Sequence, residues 1–561
     1  MKSLSGSSRK IYLSSLLIIS FASILSLFFL KCGRQSERKN VIVLGIPADV
    51  ATINPLFAFD VQEGHLLDLM YLKPFQETWN DSLGTIEFSP MLVESYVINK
   101  DSNFITLILR DKLKWSDGKP ITVEDIIFSF DIYSDPKVNS RLFGLFNNFY
   151  SSNDLHIDIE KSFRKNSEKS LNIYFKYYPD FTLLDINHAI IPKHLYDGIK
   201  REDVATAELN FKPISSGPYK LYKWERDQKI HLRADSLCYL FNEENIQDII
   251  FKIIPDEFSL LTQLKNGEVD LVDDVEAEKN KELENTEKLK IGSIKGRNFD
   301  YVGWNNIDPV AFAKKEFKPN KFFGSAKIRK ALSLAINRNE IFQSIVGKYG
   351  EIYDSPISPI FNSYKDEALR KVEHNPALAN KMLEEEGWID LDGDGILEKG
   401  NQKFSFKIYS NTGDPTREYS ATIIKNNLKE IGVDAEIIFV EKSELIDGLI
   451  NKKYDAFLSG WTIQIPLNLD NYRDPKSENG MFNFASYYDQ RVDKYLDELK
   501  PSDNEDKRTD TYRMISDIFI ETTPATFLFW SDNIIAYKKR IVIKKFSPLG
   551  LFTNAWEWRL D

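Results

Sequence analysis

Trp115-Ser116-Asp117-Gly118-Lys119-Pro120-Ile121-Thr122-Val123-Glu124-Asp125-Ile126-Ile127-Phe128-Ser129-Phe130 is the stretch on which the reading of this chain turns. Ser116 to Pro120 has the composition of a tight turn, because Asp, Gly and Pro each favour chain reversal for a separate reason. Thr122 then stands where a helix N-cap belongs. Asp125, three residues on, can reach back to the cap's own N–H and close a capping box. Ile126-Ile127-Phe128 opens the apolar face of the helix so started. A turn, a cap and a core-facing helix make a folding unit and leave little for chemistry.

Working outward, strand and helix patterns alternate, which is the signature of an α/β architecture. Phe104 to Leu109 reads as a strand before the turn, and Val41-Ile42-Val43-Leu44 as a strand buried on both faces. Downstream, Asp256 is placed to cap a helix with Phe258, Leu261 and Leu264 on one face and Gly267 at its end. Val269 and Leu271 follow as a short strand. Ile328, Ala331, Leu332, Ala335 and Ile336 fall at i, i+3, i+4, i+7 and i+8, an amphipathic helix. Asn375-Pro376 and Asp414-Pro415 each pair a cap with proline at the first helical position. The helix after Pro415 runs to Gly432, and Val433, Ala435, Ile437 and Phe439 alternate as the next strand.

The chain has 561 residues, too many for one ordinary core. With 42% hydrophobic residues it can bury real cores, and its net charge of -11 argues against a nucleic-acid footprint. Two cysteines, Cys32 and Cys238, exclude a disulfide-rich scaffold and thiolate zinc clusters. A bridge between them is open on paper. Lys2, Arg9 and Lys10 precede an apolar run from Ile11 to Leu30, the pattern of an export signal. Cys32 stands at its end, and residues 1–32 resemble a bacterial lipoprotein signal whose cysteine is lipidated. Lys31 occupies a place usually held by a small residue, so an uncleaved anchor and a plain cleaved signal stay open beside lipidation. All three put the chain from Asn40 onward outside the cytoplasm, periplasmic or at the cell surface.

From the turn–helix segment outward, six collinear motifs resemble the oligopeptide/dipeptide/nickel class of solute-binding proteins of bacterial ABC importers. Beside Trp115–Phe130 these are Thr52-Ile53-Asn54-Pro55-Leu56, Ser216-Gly217-Pro218-Tyr219, Gly267-Glu268-Val269-Asp270, the helix from Ile328 to Arg338, and Ser459-Gly460-Trp461. The resemblance implies a type II periplasmic-binding-protein fold, two lobes around a ligand cleft with an extra domain inserted in lobe one. Lobe one would comprise residues 40–85, 205–300 and 525–561, the insertion 86–204, and lobe two 301–524. It also implies capture of a peptide or similar small solute, delivery to membrane permease subunits, and a monomer held at the membrane by its N-terminus. A surface or sensory receptor on the same fold is the alternative, and a hydrolase a remote one: no Gly-x-Ser-x-Gly elbow is present. No catalytic residue and no cofactor is expected.

By the same resemblance the ligand would meet Asn54 from lobe one, Trp304 and Asn305 at the start of lobe two, and Gly460, Trp461, Thr462 and Gln464. A plain core role stands beside ligand contact for both tryptophans, and a turn role for Asn54. Peptide-binding members place an aspartate where this chain has Gln464. A neutral amide cannot supply a charge-assisted bond to an α-ammonium, so a ligand without a required free α-amine is expected. Asp470 or Asp474 could stand in after a loop shift. Arg417 reads as a surface helix arginine, with a ligand carboxylate as its other use. Asp390, Asp392, Asp394 and Gly395 match the opening of a calcium loop, but position twelve is Asn401 rather than Glu. The six histidines lack metal-ligand spacing, and no metal is expected.

Overall fold

Val41–Ile46 (β1) is inaccessible over nearly its whole length, as its unbroken apolar run requires, and it forms the centre of lobe one. It pairs in parallel with Asp248–Ile253 and with the short Leu271–Val272. The computed structural model describes residues 40–177, 181–365, 372–499 and 505–561. The expected signal and Cys32 lie outside the described residues.

With Tyr219–Glu225 as β2, Lys229–Ala234 as β3, Asp248–Ile253 as β4 and Leu271–Val272 as β5, the sheet continues through two long strands. These are Leu289–Trp304 (β6) and Ala525–Lys538 (β10). Ser405–Asn411 (β7), Asp434–Val440 (β8) and Ala456–Thr462 (β9) complete it. The order is β8-β7-β9-β6-β10-β5-β1-β4-β3-β2, with Gly350–Glu351 added against β10. Each end holds a parallel triplet, β5-β1-β4 in one lobe and β9-β7-β8 in the other. The antiparallel pair β6–β10 belongs to both.

The crossing point is visible in the register. Leu289 to Ile294 of β6 pair with Lys538 to Asn533, next to β5; Asn298 to Gly303 pair with Ser531 to Ala525, next to β9. Between them Lys295, Gly296 and Arg297 form a bulge opposite Asp532. A Cβ on Gly296 would sit 1.3 Å from the Ser531 carbonyl oxygen, so only glycine lets the strands approach here. Bulges bend and twist a strand, and this one lies where the sheet passes from lobe to lobe. β6 thus runs unbroken across position 300/301, where the sequence divides the lobes, while β10 begins at Ala525, the other dividing position.

Helix Val61–Met70 (α1) starts with a capping box of Asp60 and Glu63. Helix Val123–Ser134 (α2) starts as expected, with Thr122 and Asp125 closing the box. Its Phe130, with Trp115, joins the four-stranded sheet Val93–Asn99, Phe104–Leu109, Ser170–Tyr174 and Phe163–Lys165 to the same buried cluster as β1. Tyr219 anchors the Gly217-Pro218 turn: its hydroxyl donates to Ile246 O at 2.8 Å, and a Cβ on Gly217 would lie 2.6 Å from the Met70 backbone.

The helix Glu257–Asn266 has the expected Asp256 cap and Gly267 end, with a different buried face. Leu260, Leu261 and Leu264 are inside and Phe258 is 80% exposed. A leucine pair at i, i+1 with a third at i+4 already fills the stripe facing the sheet, and Phe258 falls outside it. In lobe two the sheet lies between two apolar layers. One gathers Trp304, Leu332, Ile424 and Leu458, the other Phe299, Phe457, Phe519 and Trp530. Among the described residues no helix is long and apolar enough to cross a membrane.

Candidate ligand-binding cleft

Open α/β sheets bind ligands beyond the carboxyl ends of their parallel strands, and here two such ends meet. β5 ends at Val272 and runs through Asp273–Glu276 into helix Ala277–Glu284 (α3). β7 ends at Asn411 and runs into helix Pro415–Glu430, whose cap is Asp414. Residues after both strands line one cavity of about 670 Å³, with Asp300 of β6 and Phe529, Ser531, Asp532 and Ile534 of β10 between them. The last turn of helix Arg338–Ile345 (α4) and Tyr349 add a wall from lobe two. A second concavity of about 660 Å³, around Asn337, Phe342 and His374, contains no residue of lobe one. Motion at the bulge cannot close it, so the first is the candidate site.

The cavity wall is acidic. Asp274, Glu276, Asp300, Asp414 and Asp532 line it against one guanidinium, Arg417. The Asp274 carboxyl is pushed above its ordinary value by burial and then by the charges of Asp273 and Glu276. Asp273 is held behind it by Asn533 Nδ2 at 2.9 Å and His65 Nε2 at 3.6 Å, which ties the lobe-one wall to α1 and to the crossing strand. Burial raises the Asp300 carboxyl too, with Arg417 pulling it back.

Arg417 therefore differs from the surface reading. Its Nε and Nη2 donate to the two Asp300 oxygens at 3.2 Å each, and Nη1 donates to Asn411 Oδ1 at 2.6 Å. The first turn of its helix aims it back at the sheet, because the Asp414 cap fixes where that turn begins. Gly460 belongs to the same group: a Cβ there would lie 2.4 Å from Asp300 Oδ1 and 2.5 Å from Arg417 Nη2. The glycine is what allows the ion pair to lie flat on β9.

The other sequence candidates divide. Trp461 is half-buried, its ring 5.6 Å from Phe484 and 6.4 Å from Phe482, and Thr462 and Gln464 are exposed beyond it. Thr462 Oγ1 donates to Asn298 Oδ1 at 2.7 Å, which fixes the tip of β9 to β6 just past the bulge. Trp304, Asn305 and Asn54 lie elsewhere, each 2% exposed or less. Trp304 Nε1 donates to Thr526 Oγ1 at 2.9 Å inside the lobe-two core. Asn305 Nδ2 donates to Tyr454 O at 2.9 Å. Asn54 donates to Tyr196 Oη at 3.1 Å and bonds Asn210, while its Oδ1 accepts from Leu56 N. Asparagine here closes buried turns, the alternative role that the sequence leaves open.

Asp470 and Asp474, the suggested stand-ins, are engaged locally: Asp470 with Arg473 at 2.5 Å, Asp474 with Lys476 N at 2.9 Å. In the calcium-like loop, oxygens of Asp390, Asp392 and Glu398 come within 4.8 Å of one another. The Lys403 ammonium stands among them, 3.4 Å from Asp392 and 3.5 Å from Glu398, and also bonds Asp394. Cys238 is buried in the lobe-one core and its thiol is pushed up to about 12 by that burial.

Sequence reasoning missed Asp274, Glu276, Asp300 and Asp532, because nothing separates them from the other carboxylates in a chain with 84. It also missed Glu63. That side chain, 3% exposed, accepts from the N–H groups of Ala51, Thr52, Phe59 and Asp60 and so pins the loop before α1. The Asp60-x-x-Glu63 spacing was the signal for it.

Residues 87–483 match the family described as bacterial extracellular solute-binding proteins, family 5 middle. The chain is 27% identical over 570 residues to the oligopeptide-binding protein AppA of Bacillus subtilis, covering 98% of this chain and 99% of that one. The solved structure of that protein, in complex with a nonapeptide, superposes with a TM-score of 0.69 at 26% identity, covering 93% and 99%. NikZ of Campylobacter jejuni, solved with Ni(L-His), shares the fold with a TM-score of 0.70 at 24% identity, covering 93% and 99%. Two parallel triplets joined by two shared strands, with the cavity at their carboxyl ends, are the type II periplasmic-binding-protein fold. The chain belongs to the family 5 bacterial extracellular solute-binding proteins of ABC transporters.

Proposed function

We propose that the chain captures a peptide in the interlobe cavity, carries out no chemistry on it, and hands it to permease subunits of an ABC importer. The observation that carries this is the cavity's composition: its walls follow β5 of one lobe and β7 of the other, and its floor is the strand pair that both lobes share. Closure about the bulge would bring the walls together over a ligand, the hinge mode of such receptors. The relative crystallised with a nonapeptide supports a peptide as cargo. In this reading residues 86–204 are the insertion in lobe one, and lipidated Cys32 holds the monomer at the outer face of a membrane.

The acidic wall bears on which end of a peptide lies where. Gln464 removes one carboxylate from the lip beyond Trp461, but Asp274 and Glu276 supply others on the facing wall. The cleft therefore favours a cationic group against lobe one, and the expectation of a dispensable α-amine, drawn from Gln464 alone, is replaced.

The test is native mass spectrometry of the full chain extracted gently from membranes, then denatured to release what it holds. Peptides recovered intact support capture. An empty protein, or recovery of a cleaved product from an added peptide, overturns the reading. The mass of the N-terminal peptide and release of a Cys32→Ala variant from the membrane test the anchor.

A further inference from the structure

Phe75–Asn80 and Thr85–Pro90 pair with each other as a separate two-stranded ribbon, a hairpin whose two ends belong to different cores. At the root, Phe75 is buried in the cluster of β1 and meets Tyr96 edge-on at 5.1 Å. Its N–H donates to Asn187 Oδ1 at 2.8 Å. Four residues on, about 13 Å along the strand, Trp79 points to the same face and enters the lobe-two cluster of Phe299 and Trp530. Trp79 is 6% exposed, and its ring lies edge-on to Phe361 at 5.7 Å. Ile86, opposite Trp79 in the ribbon, packs against the same cluster.

The tip is fitted at the level of the backbone. A Cβ on Gly84 would sit 2.5 Å from Phe361 Cα and 2.6 Å from Asn362 N, so only glycine allows this approach. Ser363 N donates to Leu83 O at 3.3 Å, its hydroxyl donates to the same oxygen, and Asn362 Nδ2 donates to Asp81 O. From lobe one, Lys545 Nζ donates to Trp79 O at 3.0 Å and pairs with Asp81 at 2.6 Å. The gripped residues lie against the hinge. Phe361 N donates to Ser358 O at 3.1 Å, and Ser358 Oγ donates to Gly296 O of the bulge at 3.0 Å. They also lie behind it: Trp530 of the shared cluster alternates along β10 with Phe529 and Ser531, which line the cavity.

Lobes that open and close are conformers separated by a small free-energy gap. Withdrawing Trp79 would return it and Phe361, which is 2% exposed, to water. Such rings bury about 150–250 Å² each, a loss too large to be repeated at every capture. We propose that the hairpin is a permanent clasp on the rear of the hinge. Trp79 stays seated in lobe two while the cavity opens and shuts, and the lobes turn about the line from the bulge to the Trp79–Phe361 contact. The proposal rests on capture by closure, as read above. With the shared strands as one fixed region and the clasp as a second, sliding and twisting of the lobes are suppressed, and the rotation that opens the cavity is kept. The hairpin thereby regulates the site without touching the ligand.

The experiment locks the clasp in the full chain. In the variant Leu83→Cys, Ser363→Cys the two positions already share a backbone hydrogen bond, which brings their Cα atoms within disulfide range. Wild type and variant, oxidised and reduced, pass from detergent into native ion-mobility mass spectrometry with a pool of tri- to nonapeptides. Bound peptide is read from the mass, and closure from the fall in collision cross-section. The oxidised variant should hold peptide within about twofold of its reduced form and contract as wild type does. A loss of binding of about tenfold or more on oxidation, or a loss of contraction, would mean that the clasp parts during the cycle and overturns the proposal. A pair that cannot be oxidised overturns it too, because the contact is then absent. Trp79→Ala, with folding confirmed by its urea midpoint, should broaden the cross-section of the empty protein and lower retention by about fivefold or more. Trp79→Phe should stay close to wild type. A folded Trp79→Ala variant with wild-type breadth and retention refutes the clasp while leaving peptide capture standing. If wild type neither binds the pool nor contracts, capture by closure fails and this inference falls with it.

Discussion

Replacing Arg417 with methionine removes the one guanidinium of the cavity wall while keeping most of the side-chain volume. Its loss strands Asp300, whose side chain is 15% exposed against 20% for Arg417. Asp300 loses both of its 3.2 Å bonds at once, and Asn411 and Asp414 lose the donor that also served them. Breaking a buried ion pair by removing one partner costs about 3–5 kcal/mol, because an uncompensated charge is left behind. The residual exposure of this pair places the expectation at the lower end, about 3 kcal/mol. Urea unfolding followed by tryptophan fluorescence, with linear extrapolation, measures it. Asp300 already sits above its ordinary carboxyl value through burial, and without Arg417 it rises further. The deficit should therefore shrink at pH 5 relative to pH 8, as protonation removes the stranded charge. The double variant Asp300→Asn, Arg417→Met should recover most of the loss. A deficit under about 1 kcal/mol, or strictly additive single and double variants, would refute the claim that this pair is buried and coupled.

Three further outcomes follow from the same geometry. Trp304→Ala should cost about 3–5 kcal/mol as a core truncation, read from the urea midpoint, with ligand stoichiometry of the folded fraction unchanged; a folded, stable variant that no longer binds would return Trp304 to the cleft. Nα-acetylation of a captured peptide should weaken its binding in a direct calorimetric comparison, because the Asp274–Glu276 wall favours an ammonium; equal affinities would favour the expectation drawn from Gln464 alone. His65 is held neutral by burial, its pKa lowered from 6.5 to about 4. The folded state resists its protonation, so its contribution is complete above pH 6.5 and is lost as pH falls towards 4, to a total of about 3 kcal/mol. His65→Gln should flatten the fall in urea midpoint between pH 7 and pH 4.5 relative to wild type, and an unchanged slope would sink this account.

What the sequence made legible is what local chemistry determines. Thr122 and Asp125 close their capping box, Asp256 and Gly267 bracket their helix, and Asp414-Pro415 starts another, because caps and turns are decided within a few residues. The α/β class followed from the order of such units, and the two-lobe fold from the resemblance of six motifs. The buried face of Glu257–Asn266 was less legible, since three leucines and one phenylalanine satisfy more than one stripe until the sheet selects among them. The site was least legible of all. Asn54 lies in a motif that resembles the family's, and Trp304 and Asn305 stand at the expected start of lobe two, yet their side chains close buried turns and fill the core. The cavity is instead built by Asp274, Asp300 and Arg417, which are 143 positions apart at their extremes (417 − 274) and meet only because β6 and β10 carry the sheet from one lobe to the other. No local pattern encodes that meeting. Gly460 comes nearest to doing so: glycine beside a tryptophan looks like a turn, yet its function is to leave space for Asp300 and Arg417 to lie against β9. A motif can thus be read correctly in the sequence while the reason for it lies in a contact between distant strands, and the bulge at Lys295–Arg297 is where that reasoning joins fold to function.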